Sequence, residues 1–227
     1  SLPSLRVGSL SDELIDEIKK VRKTGFTLAP EAGSDRLRRV INKGITEEDL
    51  LDTCRDAFSL GWKLIKLYFM VGLPTETEAD VEAIVDLAKK ARNRGGQGKG
   101  RPVQVNLGVA TFIPKPHTPF QWEPQISLEE SKRRINRLKQ MLPRQGFKIK
   151  WHDPEQSLLE GVFSRGDRRL SRLLETAWSN GARLDSWSEH FNLEQWRRAA
   201  AECDLNLEDY LRRREVSEVL PWEHLHS

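Results

Sequence analysis

The chain has 227 residues, 31% of them charged and 37% hydrophobic, with a formal net charge of +3. That length suits one moderate domain, or a domain with a small appendage, and it excludes wholesale disorder. No apolar run approaches the ~18 residues that cross a bilayer, so no membrane partner is expected. The start, Ser-Leu-Pro-Ser-Leu-Arg, has no basic segment followed by an apolar one, so no signal peptide is expected either. Two cysteines, Cys54 and Cys203, exclude a disulfide framework and any all-cysteine zinc or iron–sulfur site within one copy of the chain. They make the cytoplasm the expected compartment.

In chain order, residues 4–8 read as a short strand. Ser9 or Ser11 then caps a helix whose apolar residues Leu14, Ile15, Ile18 and Val21 share one face, and Gly25 ends it. Phe26 to Ala29 is a strand that stops at Pro30-Glu31-Ala32-Gly33-Ser34, and a short helix follows over roughly 34–42. Thr46 to Asp49 has the pattern of a capping box. The helix it opens buries Leu50, Leu51, Cys54, Ala57 and Phe58 and closes at Gly61. Leu64 to Val71 is the strongest strand and breaks at Gly72-Leu73-Pro74. Thr75 or Thr77 starts a helix burying Val81, Ile84, Val85, Leu87 and Ala88.

Asn93 to Arg101 is glycine-rich and basic, as surface loops are. Val103 to Phe112 is a strand running into Ile113-Pro114-Lys115-Pro116-His117-Thr118-Pro119, where three prolines forbid a helix. Ser127 opens a helix to about Gln145, and Phe147 to Trp151 alternates like a strand with one wet face. From Pro154 onward the pattern is helical, polar and rich in tryptophan. The alternation of strands and helices predicts βα units and a parallel sheet. It also predicts two domains, 1–146 and 147–227.

The strand faces add a constraint. Ile65, Leu67, Phe69 and Val71 form an apolar face, and Lys66, Tyr68 and Met70 form the other. Val103, Val105, Leu107 and Val109 lie opposite Gln104, Asn106, Gly108 and Ala110. Strands with one greasy and one polar side suit a barrel whose interior holds a ligand. In parallel α/β folds the ligand sits at the carboxyl ends of the strands. Here those ends are Glu31 to Ser34, Gly72 to Glu76, and Phe112 to Pro116.

At these three ends the sequence resembles the radical SAM superfamily. Phe26 to Gly44 looks like the fourth-strand region of that barrel. Leu64 to Glu82, with Gly-Leu-Pro-Thr-Glu, looks like the fifth, and Val105 to Trp122, with Phe-Ile-Pro-Lys-Pro-His, looks like the sixth. The subgroup it is most similar to is often fused to a cobalamin-binding domain. That subgroup carries runs like His152-Asp-Pro-Glu, Leu159-Glu-Gly-Val-Phe-Ser-Arg-Gly-Asp, Trp187-Ser-Glu-His-Phe and Leu220-Pro-Trp-Glu-His. The resemblance implies a partial (βα) TIM-like barrel, strands three to six, with an α-helical C-terminal extension.

It also implies a [4Fe–4S] cluster that reduces S-adenosylmethionine to a 5′-deoxyadenosyl radical, the cofactors carrying the hard chemistry. Carried over by residue, Glu31 and Ser34 match positions that contact the ribose or methionine part. Gly72 and Leu73 match the turn near the adenine, and Phe112, Ile113 and Pro114 the segment that holds the adenine. Lys66, less so Lys43 or Arg6, matches the partner of the methionine carboxylate. The family's C-x3-C-x2-C motif is absent, and so is its glycine-rich second-strand motif. The chain is therefore expected to be the carboxyl half of a longer protein, or a truncated relative, inactive alone. The cluster would be held by residues outside this chain, in an N-terminal half, and any cobalamin would lie in another domain. An open edge at residues 4–8 predicts marginal stability or self-association.

Three basic groups raise a different class, an RNA- or protein-binding module on the same scaffold. They are Arg133, Arg134, Arg137, Lys139 and Arg144; Arg165, Arg168, Arg169 and Arg172; and Arg212 to Arg214. Neighbouring acids read instead as ordinary solvated faces. His152-Asp153 reads as an acid–base pair or as a turn before Pro154, and His117 as a contact at the site mouth or a surface group.

Overall fold

A computed structural model describes residues 25–96, 103–185 and 187–225. The predicted strand at 4–8, its helix, Arg6 and most of the basic loop lie outside the described residues. Among the described residues there are four strands: β1 (Phe26–Glu31), β2 (Leu64–Val71), β3 (Gln104–Thr111) and β4 (Phe147–Trp151). They form one sheet in the order β1-β2-β3-β4, with β1–β2 and β3–β4 parallel. Helices α1 (Asp35–Val40), α2 (Glu47–Ser59), α3 (Glu78–Gly96) and α4 (Leu128–Met141) provide the connections. Helices α5 (Pro154–Arg165), α6 (Leu170–Ser179) and α7 (Leu193–Glu202), and a 3-10 turn (Leu207–Leu211), complete the chain.

The described residues divide into two compact units. The first takes those up to Ala110 together with Arg133–Trp151, and the second takes Thr111–Lys132 and those from His152 onward. The expected boundary at 147 falls where Phe147 pairs with Val105 of β3. β4 thus lies in the sheet unit, and the proline-rich segment after β3 lies with the helical unit. Helix α4 stops at Met141, earlier than the predicted Gln145, because Pro143 cannot continue the hydrogen-bond ladder.

In the sheet unit the predicted periodicities become one core. Ile65, Leu67, Phe69 and Val71 of β2 and Val105, Leu107 and Val109 of β3 are buried. Against them lie Leu50, Leu51, Cys54 and Ala57 of α2, Val81, Ile84, Val85, Leu87 and Ala88 of α3, and Ile135 and Leu138 of α4. The Thr46 hydroxyl accepts from the Asp49 N–H at 3.2 Å while the Asp49 carboxylate accepts from the Thr46 N–H at 2.9 Å, closing the capping box. After β1 the backbone passes so close to α3 that a Cβ on Gly33 would lie 2.3 Å from the Ile84 nitrogen. Only glycine fits there.

In the helical unit Leu158 and Val162 of α5, Leu173 and Ala177 of α6, Trp196 and Ala199 of α7, and Leu207 and Leu211 share a second core. Arg165, wholly buried, donates to the carbonyls of Tyr210 (2.9 Å), Glu123 (2.8 Å), Arg212 (2.8 Å) and Gln121 (3.3 Å). A planar fork of donors spanning three chain segments is a task only arginine performs. Burial, with Arg214 and Arg212 nearby, pushes its pKa down to about 10, so the guanidinium stays charged at neutral pH.

Candidate functional site

One face of the sheet is sealed by α2, α3 and α4, and among the described residues the other is open. Its residues are Thr27 and Ala29 of β1, Lys66, Tyr68 and Met70 of β2, Gln104, Asn106, Gly108 and Ala110 of β3, and Lys148 and Lys150 of β4, all exposed or half-buried. The register ties them together: Thr27 pairs with Lys66, Asn106 with Lys148, and Gly108 with Lys150. The Gln104 amide donates to the Asn106 carbonyl oxygen at 2.9 Å along β3. Tyr68 lies over Gly108, where a Cβ would come within 2.7 Å of its ring, so the glycine provides the seat for the aromatic side chain. A sheet face with lysines, amides and an exposed tyrosine is built to meet a polar or anionic ligand.

At the carboxyl end of β1 the chain takes three steps, Leu28 to Glu31, against two on β2, Leu67 to Phe69. This bulge and a left-handed φ of 67° re-aim Glu31 at the strand end. Its carboxylate meets Lys43 at 3.2 Å, and both side chains keep solvent access. Lys43 thus faces Glu31, which leaves the exposed Lys66 as the cation of β2 on the open face. The Ser34 hydroxyl is used twice within the fold: it accepts from the Leu37 N–H at 3.1 Å and donates to Asp80 at 2.5 Å. Ser34 caps α1, and its side chain is turned to that task.

Gly72 has a left-handed φ of 86°, and its N–H donates to Glu76 at 2.6 Å. Glu76 is ion-paired with Arg134, and one of its carboxylate oxygens is buried without a partner. Burial pushes its pKa up, against the opposing pull of Gly72 and Arg134. Leu73 is buried. The turn after β2 therefore offers backbone shape more than free side chains. In the helical unit, Phe112 and Ile113 are half-buried and Pro114 is buried. The Phe112 ring meets Phe120 edge-on at 5.9 Å.

Sequence reading did not single out Asp80, which organises the turns after β1 and β2. It is 4% exposed and accepts from Ser34, the Thr77 hydroxyl (2.7 Å), the Thr77 N–H (2.9 Å) and Arg36. Burial opposes its ionisation, but these donors prevail and hold the carboxyl well below the usual carboxylate range. The spacing Thr77-Glu78-Ala79-Asp80 is itself a box signature that was available to find it.

The basic groups are largely spoken for. Arg133, Arg134 and Arg137 of α4 pair with Glu78, Glu76 and Glu82 of α3 or the turn before it. Arg169 pairs with Asp167, Arg212 with Glu218, and Arg213 with Glu123. Among the described residues no group of three or more His, Cys, Asp or Glu is arranged to hold a metal ion.

Fold and site together define a parallel βα-sheet protein with one sealed face and one open polar face, the strand ends carrying glycine and proline turns. Residues 3–88 match the profile of the Radical SAM superfamily. An uncharacterized protein of Methanocaldococcus jannaschii is 38% identical over 172 residues, covering 76% of this chain and 36% of its own length. A tRNA-2-methylthio-N(6)-dimethylallyladenosine synthase of Ruegeria sp. is 26% identical over 218 residues, covering 91% of this chain and 42% of its own. A synthase of the same name from Thermotoga petrophila is 28% identical over 146 residues, covering 61% of this chain and 30% of its own. The chain thus spans about two fifths or less of these relatives.

Proposed function

We propose that this chain is the S-adenosylmethionine-binding part of a radical SAM iron–sulfur enzyme. The observation that carries the proposal is the open polar sheet face, with Lys66 exposed on it and Glu31 re-aimed at its edge by the bulge in β1. In this reading Lys66 holds the methionine carboxylate, and Glu31 contacts the ribose or methionine part. Gly72 and Leu73 shape the turn beside the adenine, and Phe112 to Pro114 hold the base. The Ser34 hydroxyl, bonded at both ends, contributes by fixing the turn.

The two cysteines do not fit a [4Fe–4S] cluster. Cys54 lies in the core of the sheet unit, where burial pushes its thiol up to about 12, and Cys203 is buried in the helical unit. A cluster needs thiolates that reach the site. The proposal for this chain is therefore confined to binding and orienting the cofactor. The cluster belongs to an N-terminal half of the same protein, and any cobalamin to another domain. The competing module for RNA or protein loses support because most of the arginines it drew on are engaged in ion pairs.

The test is S-adenosylmethionine binding to the complete protein, measured by equilibrium dialysis with Lys66→Ala and Glu31→Ala. Removing a charged partner from a partly solvated site costs about 1.5 kcal/mol. The expected effect is a roughly tenfold loss of affinity for Lys66→Ala. Affinity unchanged in both variants overturns the proposal.

A further inference from the structure

The helical unit carries a groove of about 600 Å³ that the function above does not use. One wall is apolar, made of Leu159 and Phe163 of α5 and Phe191 ahead of α7. Phe163 is exposed, and its ring is held edge-on to Trp196 at 5.4 Å and 81°, which keeps the wall flat and fixed. The polar groups opposite decide what the groove accepts.

His152 is the first of these. Its Nδ1 lies 2.9 Å from the Ser157 hydroxyl, and that hydroxyl lies 3.0 Å from the Asp153 carbonyl oxygen. A carbonyl only accepts, so the single Ser157 hydrogen goes to Asp153. Ser157 must then accept from His152, which puts the ring proton on Nδ1. In that tautomer Nε2 is a bare acceptor, on an exposed side chain that lines the groove. Asp153 meanwhile caps α5, accepting from the Glu155 N–H at 2.8 Å, and so is not the acid of an acid–base pair with His152.

Asp185 is the second. Gln156 of α5 donates to its backbone carbonyl at 3.1 Å, tying this segment to the groove. One oxygen of its carboxylate is buried without a hydrogen-bond partner. The rest of this half-buried side chain lines the groove and can accept a hydrogen bond there. The cation of the rim, Lys115, is engaged with Glu160 at 2.6 Å and Ser164 at 3.0 Å. The groove therefore offers a phenyl wall, the acceptors of His152 and Asp185 beside it, and no uncommitted cation among its lining residues.

We propose that this groove binds a heteroaromatic ring bearing an exocyclic amine, a nucleobase of the cytosine or guanine kind, which stacks on Phe163 and donates to His152 Nε2 and Asp185. A ring of the uracil kind turns carbonyl oxygens toward the same acceptors and is rejected, because a site built for a donor discriminates strongly against an analogue lacking it. An anion is rejected for want of a partner.

The test uses the 227-residue chain and two matched pairs of nucleosides, cytidine with uridine and guanosine with inosine, titrated by saturation-transfer NMR. Adenosine is left out so that the S-adenosylmethionine site is not probed. At least one aminated nucleoside should bind about tenfold more tightly than its partner without the amine. His152→Asn keeps a donor for Ser157 and removes the Nε2 acceptor; Asp185→Asn removes the carboxylate. Each should weaken the preferred nucleoside about tenfold without moving the melting temperature. Equal binding within both pairs, no binding up to millimolar concentration, or binding unaffected by both variants overturns the proposal. Each of these outcomes leaves the reading of the sheet face standing, since Lys66 and Glu31 are not involved.

Discussion

Removing the Asp80 carboxylate tests the claim that one buried acid holds the turns after β1 and β2 to the start of α3. Asp80→Ala deletes a box partner at the helix start, a loss of about 1 kcal/mol. It also deletes the 2.5 Å bond from Ser34 to a charged acceptor, about 1.5–3 kcal/mol. Arg36 is 46% exposed, so its ion pair adds only a few tenths of a kcal/mol. The expected destabilisation is about 3 kcal/mol, or roughly 6–12 °C in melting temperature for a chain of this size. Asp80→Asn keeps an acceptor for the Thr77 N–H and should lose about half as much.

The same carboxylate predicts a pH dependence. Burial opposes its ionisation, but the donors from Arg36, Ser34 and Thr77 more than offset this, and the folded-state pKa lies below the ordinary 3.8. The stability it contributes is present above that ordinary value and is lost as pH falls toward the folded-state value. Urea unfolding followed by circular dichroism should therefore show wild-type stability falling below about pH 4 more steeply than that of Asp80→Asn. A loss under about 0.5 kcal/mol for Asp80→Ala at pH 7, or identical pH slopes for wild type and Asp80→Asn, refutes the reasoning.

Other consequences are as open to measurement. In Gly33→Ala the new Cβ meets backbone atoms of α3 at 2.3 and 2.6 Å, which no rotamer relieves. The expected cost is at least about 3 kcal/mol, and a melt like that of wild type would mean the strand end and helix are not in contact. Arg165→Met leaves the carbonyls of Gln121, Glu123, Tyr210 and Arg212 without that donor, so amide exchange in α6 and α7 should rise to that of an unfolded segment. Retained protection would show that the staple is dispensable. Burial pushes the Cys54 thiol up to about 12, and Cys203 is buried too, so neither should react with an aromatic disulfide reagent at pH 8 until the chain is unfolded, when both should. Fast reaction of either thiol in the folded protein contradicts the packing.

What the sequence disclosed, and what it withheld, follow from the range over which each signal acts. The two-residue period of Leu64 to Val71 and the capping box at Thr46 are local, and both emerge as read. The five residues of β4 are also visible as a strand, but nothing within them says that they pair with β3 and set Lys148 and Lys150 beside Asn106 and Gly108. That partnership comes from tertiary packing. The arginines of α4 illustrate the same limit. Read alone, Arg133, Arg134 and Arg137 are a basic stripe fit for a polyanion. Their partners Glu78, Glu76 and Glu82 stand 55 to 58 residues earlier, and only the packing of α4 beside α3 turns the stripe into a seam of ion pairs. Ser34 is the converse: a resemblance points its hydroxyl at a ligand, while the local geometry of a helix start claims it for the Leu37 N–H. On the open sheet face Lys66, Lys148 and Lys150 are exposed, with Tyr68 seated on Gly108 and Asn106 bonded to Gln104 beside them. Among the described residues these lysines are the part of the sheet surface best placed to meet another molecule.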